Sequence, residues 1–421
     1  MKKKKIAVIG GGASGMMAGI FAAKGGSEVC ISEKNDRIGK KNLATGNGKC
    51  NFTNLFLEEN CYHSDKKELV LQILNGFSPK DCISFFESMG MIVKEKNGYM
   101  YPASGQASTV LDLLRLQLSY LGVQIVTECE IERIEKAKKG YRIFGNHVGR
   151  RESYDADCVI LAAGSIAGIQ TAKGTEPYKL LEELGLPMIP VVPSLVQLRC
   201  KETYMKAVAG VRVDAEATLY IEKRPAYKER GEVQLTDYGV SGIPVFQLSR
   251  YAAAAIAKKK QVEIHINVLP DLTNEAYEAF CINRRVQNQE QSAEEYFLGI
   301  CNKKLLQLFL KLSDIRPAQR ACEISKKQKQ KIFSLFRDFT LVVTGTNSFR
   351  QAQVCAGGLS MQAVDENLQV GSYPGLYVTG EILNVDGRCG GYNLQWAFAS
   401  GYAAGRHAAI FAGVERMEDS V

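Results

Sequence analysis

Four histidines are spread through the 421 residues, and no two stand at the helical spacing that ligates a metal, so no metal site is expected. Twelve cysteines are present, yet none forms a C-x-x-C or zinc-type pair. Their scatter through apolar segments, as at Cys30, Cys82 and Cys158, suits buried free thiols in a reducing compartment, and a cytoplasmic location is expected. No run of about 18 apolar residues exists, so no membrane span is expected. The first apolar stretch holds a glycine cluster instead of a continuous hydrophobic region with a cleavage site, so no secretory leader is expected. Internal repeats and low-complexity linkers are lacking too. The net charge of +8 is modest, and much of it comes from Lys2 to Lys5 and from Lys326 to Lys331. Neither run is interleaved with aromatic residues, so a nucleic-acid partner is not expected. An apolar fraction of 46% and a charged fraction of 23% are ordinary for a globular chain, and this length suits two or three domains.

What is present is concentrated at the two ends. Near the start, Gly10-Gly-Gly12-Ala-Ser-Gly15 lies between the apolar run Ile6 to Ile9 and a small-residue segment, Ala13 to Ala23. Gly10 permits a tight turn out of a strand, Gly12 lets backbone approach a pyrophosphate, and Gly15 lets a helix pack closely on a sheet. The helix start then offers N–H groups and a positive dipole end to phosphates. A second strand, Glu28 to Glu33, ends in an acid about 20 residues on, where the fingerprint places a ribose ligand. Ala13, Ser14, Glu33 and Lys34 are therefore candidate cofactor contacts. Near the end, Gly375-Leu-Tyr-Val-Thr-Gly380-Glu381 is followed by Asp386-Gly-Arg-Cys-Gly390-Gly391-Tyr392-Asn393-Leu-Gln395. A late strand and glycine turn of this kind suit FAD, because such a turn reaches the ribityl chain and the ring, whereas NAD-only domains complete the nucleotide site locally. A helix starting near Asn393 would aim its positive end at the ring and favour the reduced anion.

Between these ends the pattern predicts α/β alternation to about residue 190. Helices are expected over 66–76, 79–89 and 111–121, with a hairpin turning at Asn97-Gly98. The strand Cys158 to Leu161 ends in Ala162-Ala163-Gly164, a further step expected to touch the cofactor. Residues 191–272 read as a β-rich insertion and 273–340 as a helical one. Residues 1–190 and 341–421 together are expected to form the Rossmann-like FAD-binding domain of an α/β fold.

Three segments resemble a known family. They are the N-terminal fingerprint with its loop Gly39-Lys40-Lys-Asn-Leu-Ala-Thr45-Gly46-Asn47-Gly48-Lys-Cys50-Asn51-Phe-Thr-Asn54; the middle Thr236-Asp-Tyr-Gly239-Val-Ser241-Gly242-Ile-Pro244; and Gly357-Gly358 through Gly401. The chain resembles, along its whole length, the bacterial flavoproteins that include aminoacetone-oxidase-like and oxo-bile-acid-reductase-like members. The resemblance implies an FAD domain built from both chain ends. In it, Thr45 to Asn51 wrap the diphosphate and flavin side, Glu381 and Asp386 lie by the ribityl or pyrophosphate, and Gly390 to Gln395 lie at the ring. The chain departs from the family in two places. The family's Gly-Asp-Gly loop is replaced by Ser165 to Pro177, and a family threonine is Cys355 here, so no role of that threonine carries over.

Only one complete dinucleotide fingerprint is present, so NADPH or NADH is expected as a transient electron donor. No catalytic residue emerges: Cys389 lacks a redox partner, Tyr238 and Ser241 fit a turn as readily as a substrate contact, and Arg388 fits either substrate or phosphates. The expected activity is an FAD-dependent reduction of an activated double bond in an enone or steroid-like small molecule. An amine or aminoketone oxidase producing hydrogen peroxide is the alternative. A flavoprotein binding RNA or a protein partner through Lys326 to Lys331 is the weaker third.

Overall fold

A computed structural model describes residues 3–43, 48–168, 177–286 and 288–411. By internal contacts the chain divides into one unit of residues 1–191 with 353–421, and a second of 192–352.

The first unit opens with β1 (Lys5–Ile9), α1 (Ala13–Lys24), β2 (Glu28–Ser32), β3 (Gln124–Val126) and β4 (Cys158–Leu161). The second unit contains β5 (Leu198–Cys200), β6 (Arg212–Ile221), β7 (Arg224–Leu235), β8 (Gly239–Ser241), α2 (Ile243–Ala257), β9 (Val262–Asn267) and β10 (Phe339–Thr346). The chain returns to the first unit with β11 (Val354–Leu359), β12 (Leu376–Val378) and α3 (Tyr392–Phe411).

In the first unit β12, β4, β1, β2 and β3 form one parallel sheet in that order. Every residue of β4 is buried, as a strand covered on both faces requires. Ala13 to Ala22 of α1 are all buried as well, which explains a sequence of small and apolar residues without a polar face. The predicted hairpin forms between Val93–Lys96 and Tyr99–Pro102, with Asn97 at φ 53° and Gly98 at φ 83°, the pair of positive angles a two-residue type I′ turn needs. The helix Pro79–Ser88 starts where Ser78 and Asp81 form a reciprocal capping box with proline in the first turn.

The second unit is a closed six-strand barrel, β5-β8-β7-β6-β9-β10, with α2 packed on it. The middle family segment has a packing reason here. A Cβ at Gly239 would stand 2.2 Å from the Leu198 carbonyl oxygen, and one at Gly242 2.3 Å from that of Glu232. The domain boundaries differ from the expected ones. β10 closes the barrel, so residues 341–346 lie with the second unit and not with the nucleotide domain. The helices of 274–337 share one core with the barrel, for example through Phe309 on Phe339 at 5.1 Å, so strands and helices make one body. Lys326 to Lys331 begin the helix Lys326–Arg337; Lys329 reaches Gln289 at 3.2 Å and Lys331 reaches Asp314 at 3.4 Å.

Candidate functional site

The parallel sheet places three turns side by side, since β12, β4 and β1 are neighbours and end at Val378, Leu161 and Ile9. Their carboxyl ends lead into Thr379 to Glu381, Ala162 to Ser165, and Gly10 to Gly15. This is the edge at which open α/β sheets bind ligands.

At the first turn the fingerprint glycines separate into two kinds. A Cβ at Gly15 would stand 1.9 Å from the Gly10 carbonyl oxygen, and one at Gly10, with φ 104°, 2.4 Å from that of Ala162. Those two are fixed by packing. Gly12 has nothing within 4 Å of its Cβ position and caps α1 without a side-chain hydrogen bond. Open space at a helix start is what a phosphate needs. Glu33 is buried at the end of β2; its Oε2 accepts from Gly11 N and its Oε1 from Asn35 N, both at 2.9 Å. Lys34 and Lys40 line a cleft of about 490 Å³ together with Asn35, Glu128, Glu130 and Val148. Lys40 pairs with Asp36 at 2.5 Å. Gly39, at φ 77°, ties the loop back through its N–H to Gly11 O at 2.9 Å. Thr45, Gly46 and Asn47 lie outside the described residues.

A second helix joins the first. A Cβ at Gly401 would stand 2.3 Å from the Ser14 carbonyl oxygen, and one at Gly405 2.3 Å from that of Ala18. The same offset at both positions makes α3 run parallel to α1 in near backbone contact. α3 begins about eight residues ahead of α1, roughly 12 Å at 1.5 Å per residue. Two positive helix ends thus lie along one line, spaced for a ligand longer than a single phosphate group.

The start of α3 is built from distant sequence. Asn54 Nδ2 donates to Gly390 O at 2.9 Å, and Tyr62 hydroxyl donates to Tyr392 O at 3.0 Å. Asn393 bridges Gly387, accepting from its N–H at 2.8 Å and donating to its carbonyl at 2.9 Å. Asp386 is buried and its short strand pairs with Tyr62–His63. Gly391, at φ 93°, is fixed by close packing: a Cβ there would stand 2.8 Å from the Thr53 carbonyl and 2.9 Å from Asn51 Oδ1. Cys50, at φ 53°, is buried in the core. Gly48 and Gly164 face open space, and Ala163 is part-buried beside Gly164.

Gly380 holds α3 to the third turn, since its N–H donates to Ser400 Oγ at 3.0 Å and Trp396 Nε1 donates to its carbonyl at 3.1 Å, and it packs against α1, where a Cβ would stand 2.3 Å from Ser14 Oγ. Glu381 is engaged within the protein. Its Oε2 meets Lys41 Nζ at 2.5 Å, and its Oε1 accepts from Ser165 Oγ at 2.7 Å and Cys355 N at 3.2 Å. Burial and then the nearby Glu381 push the Cys355 thiol up to about 11. Burial likewise pushes the Tyr178 phenol well above its ordinary value.

Three buried polar atoms around these turns lack any hydrogen-bond partner: Asn51 Oδ1, Thr379 Oγ1 and the Tyr178 hydroxyl. Together with the open Gly12 and the paired helix ends, they fit a polar dinucleotide better than a dry core. Lys41, Ser165, Tyr178 and Asp65 were not legible as site residues. Asp65 accepts from Ser360 Oγ at 2.5 Å and Asn384 Nδ2 at 2.8 Å, fixing the loop before Asp386. For Lys41 against Lys40 the only available signal was helical direction; for Asp65 there was none. Among the described residues, no three His, Cys, Asp or Glu side chains gather as metal ligands, and no helix is long and apolar enough to cross a membrane.

Comparison with known proteins gives a match over residues 4–407 to the HI0933-like protein Rossmann domain. The chain is 40% identical over 410 residues to a 3-dehydro-bile acid delta(4,6)-reductase of Clostridium scindens, covering 96% of this chain and 99% of that one. It is 27% identical over 405 residues to a ribosomal RNA dihydrouridine synthase of Haemophilus influenzae, covering 94% and 96%. The corresponding Escherichia coli synthase is 26% identical over 409 residues, covering 96% and 97%.

Proposed function

From a chain that belongs to the HI0933-like Rossmann-domain family, we infer an FAD-dependent oxidoreductase that reduces a carbon–carbon double bond conjugated to a carbonyl in a steroid-like small molecule. The observation that carries this reading is the 40% identity, across nearly the whole of both chains, to a reductase of 3-dehydro-bile acids. NADPH or NADH is the proposed electron donor, visiting one site transiently, because a single fingerprint serves the resident dinucleotide.

Bound FAD would supply hydride transfer to the polarised alkene. The chain's own part is to bind and orient. The N–H groups at the start of α1, with Gly12 leaving clear approach, would hold the diphosphate. Glu33, with Lys34 beside it, would take the ribose at the end of β2. Glu381 and Asp386 would stand by the ribityl chain. Asn51 Oδ1, an acceptor without a partner, would take an N–H from the ring. The start of α3 at Gly390 to Asn393 would stabilise negative charge there.

Identity to two ribosomal RNA dihydrouridine synthases supports a second reading with the same chemistry. The base of uridine also carries a double bond conjugated to a carbonyl, and dihydrouridine is the product when uridine gains two hydrogens. The small-molecule reading is preferred because that relative is closer by 13 percentage points of identity, 40% against 27%.

The test is incubation of the FAD-loaded protein with NADPH or NADH and, in parallel, a 3-oxo-4,6-diene bile acid and undermodified ribosomal RNA. Mass analysis should find two added hydrogens in the bile acid. Gain in the RNA alone would move the assignment to the second reading. Hydrogen peroxide released from an amine, with neither acceptor reduced, would overturn both.

A further inference from the structure

We propose that Tyr178 donates the proton that completes double-bond reduction, and that Ser165 and Lys41 return a proton to it from solvent; the proposal rests on the enone-reductase reading above. Tyr178 is only 5% exposed, and its hydroxyl makes no well-aligned hydrogen bond, although the Ser165 hydroxyl and the Cys355 thiol stand close enough to interact with it. A buried phenol is usually hydrogen-bonded, because an unmade bond leaves its desolvation uncompensated. This one stands at the ligand-binding edge of the sheet, beside Ser165 after β4, Glu381 after β12 and Cys355 in β11.

Behind it lies a connected path to the surface. Ser165 Oγ donates to Glu381 Oε1 at 2.7 Å and receives from Lys41 Nζ at 3.3 Å. The Lys41 side chain is 35% exposed, so it exchanges protons with water, while Glu381, at 19%, holds it in place at 2.5 Å. The neighbouring groups keep Tyr178 protonated between turnovers. Burial is the larger influence, followed by Cys355 and Glu381. Cys355, with its thiol raised to about 11, remains neutral and is neither a rival base nor a nucleophile near neutral pH.

The step balances as follows. A hydride, with its electron pair, arrives at the β-carbon of the enone from the reduced cofactor. The π pair moves toward the carbonyl, and the α-carbon takes the phenolic proton. The phenolate then takes the Ser165 hydroxyl proton, Ser165 takes one from the Lys41 ammonium, and Lys41 takes one from water. The substrate gains one hydride and one proton, and the protein is restored.

The experiment uses FAD-loaded wild type and Tyr178→Phe, each reduced with dithionite without oxygen. Each is then mixed either with a 3-oxo-4,6-diene bile acid or with ferricyanide, which accepts electrons without a proton on carbon. Return of the oxidised flavin band is followed by stopped flow. The phenylalanine variant should be about 10²–10⁴-fold slower with the enone and unchanged with ferricyanide. Wild type should slow about two-fold or more in D₂O with the enone alone, and Lys41→Met should lose rate in the same enone-specific way. The D₂O measurement and Lys41→Met keep the proposal open to refutation even if Tyr178→Phe fails to fold, since no D₂O slowing, or a Lys41→Met rate equal to wild type on the enone, would overturn it. A variant within three-fold of wild type (about that margin on the enone), or no D₂O effect in wild type, overturns the proton-donor role and leaves the reductase reading standing. Wild type that ferricyanide reoxidises and the enone does not overturns the reductase reading, and this proposal with it.

Discussion

Substituting Gly405 by alanine tests whether α1 and α3 touch as closely as the site requires. In an ordinary helix interior, alanine in place of glycine stabilises by about 1 kcal/mol. At Gly405 the new Cβ would stand 2.3 Å from the Ala18 carbonyl oxygen and 2.8 Å from its Cα, both backbone atoms that cannot rotate away. Restoring ordinary contact requires α3 to move by roughly 1 Å, and overpacking of that kind costs about 1–3 kcal/mol. The propensity gain offsets part of this, leaving a net loss of up to about 2 kcal/mol in urea unfolding of the cofactor-free protein. The shift also moves the start of α3 relative to the start of α1, so FAD affinity should fall about ten-fold, measured by quenching of flavin fluorescence. Gly76→Ala is the internal control. Gly76 ends the helix Lys67–Gly76 with nothing within 4 Å of its Cβ position, and its stability should be unchanged or slightly higher. A Gly405→Ala protein as stable as Gly76→Ala, with unaltered FAD binding, would refute the close parallel contact and the alignment of the two helix ends.

Three further outcomes are expected. Gly12→Ala meets open space, so unfolding of the cofactor-free protein should change by less than about 0.5 kcal/mol while FAD binding weakens at least about ten-fold; equal affinity by titration would remove Gly12 from the cofactor site. Asn51→Leu removes an acceptor already lacking a partner, so cofactor-free stability should hold or rise, whereas FAD affinity should drop by about 1–3 kcal/mol in calorimetry; a large stability loss with unchanged affinity would make Asn51 structural. Stability should decline with alkaline pH. Burial raises Cys158, Cys200 and Cys301 to about 12 and Cys355 to about 11, so each thiol ionises first in the unfolded chain. Their contribution is full below about pH 8.5 and is lost as pH rises through the folded values, each by up to about 1.4 kcal/mol per pH unit. A flat melting temperature between those limits would contradict the burial of these thiols.

The cofactor edge was legible because glycine, helix start and terminal acid sit close together at Gly10 to Glu33, where local chemistry fixes local shape. The Asn97-Gly98 hairpin was legible for the same reason. The second unit was less so. Its insertion was visible in the changed periodicity after residue 191, but barrel closure depends on β10 pairing with β5 across more than a hundred residues, which no local pattern reports. Shared burial of Phe309 and Phe339 joined what composition had separated into a β-rich and a helical piece. At the site, Lys41 and not Lys40 turns inward to Glu381, a difference the sequence hides because two adjacent lysines differ only in the direction their helix gives them. Tyr178 and Asp65 were invisible because their meaning lies in partners near residues 355–384.

The most direct measurement of the whole account is the visible spectrum of the purified protein, reconstituted with FAD and titrated without oxygen, first with NADPH and then with NADH. The account predicts a bound flavin band that one nicotinamide bleaches and that a 3-oxo-4,6-diene bile acid then restores. Failure to bind FAD at all, or a bound flavin that both nicotinamides leave oxidised and an amine bleaches instead, would contradict it.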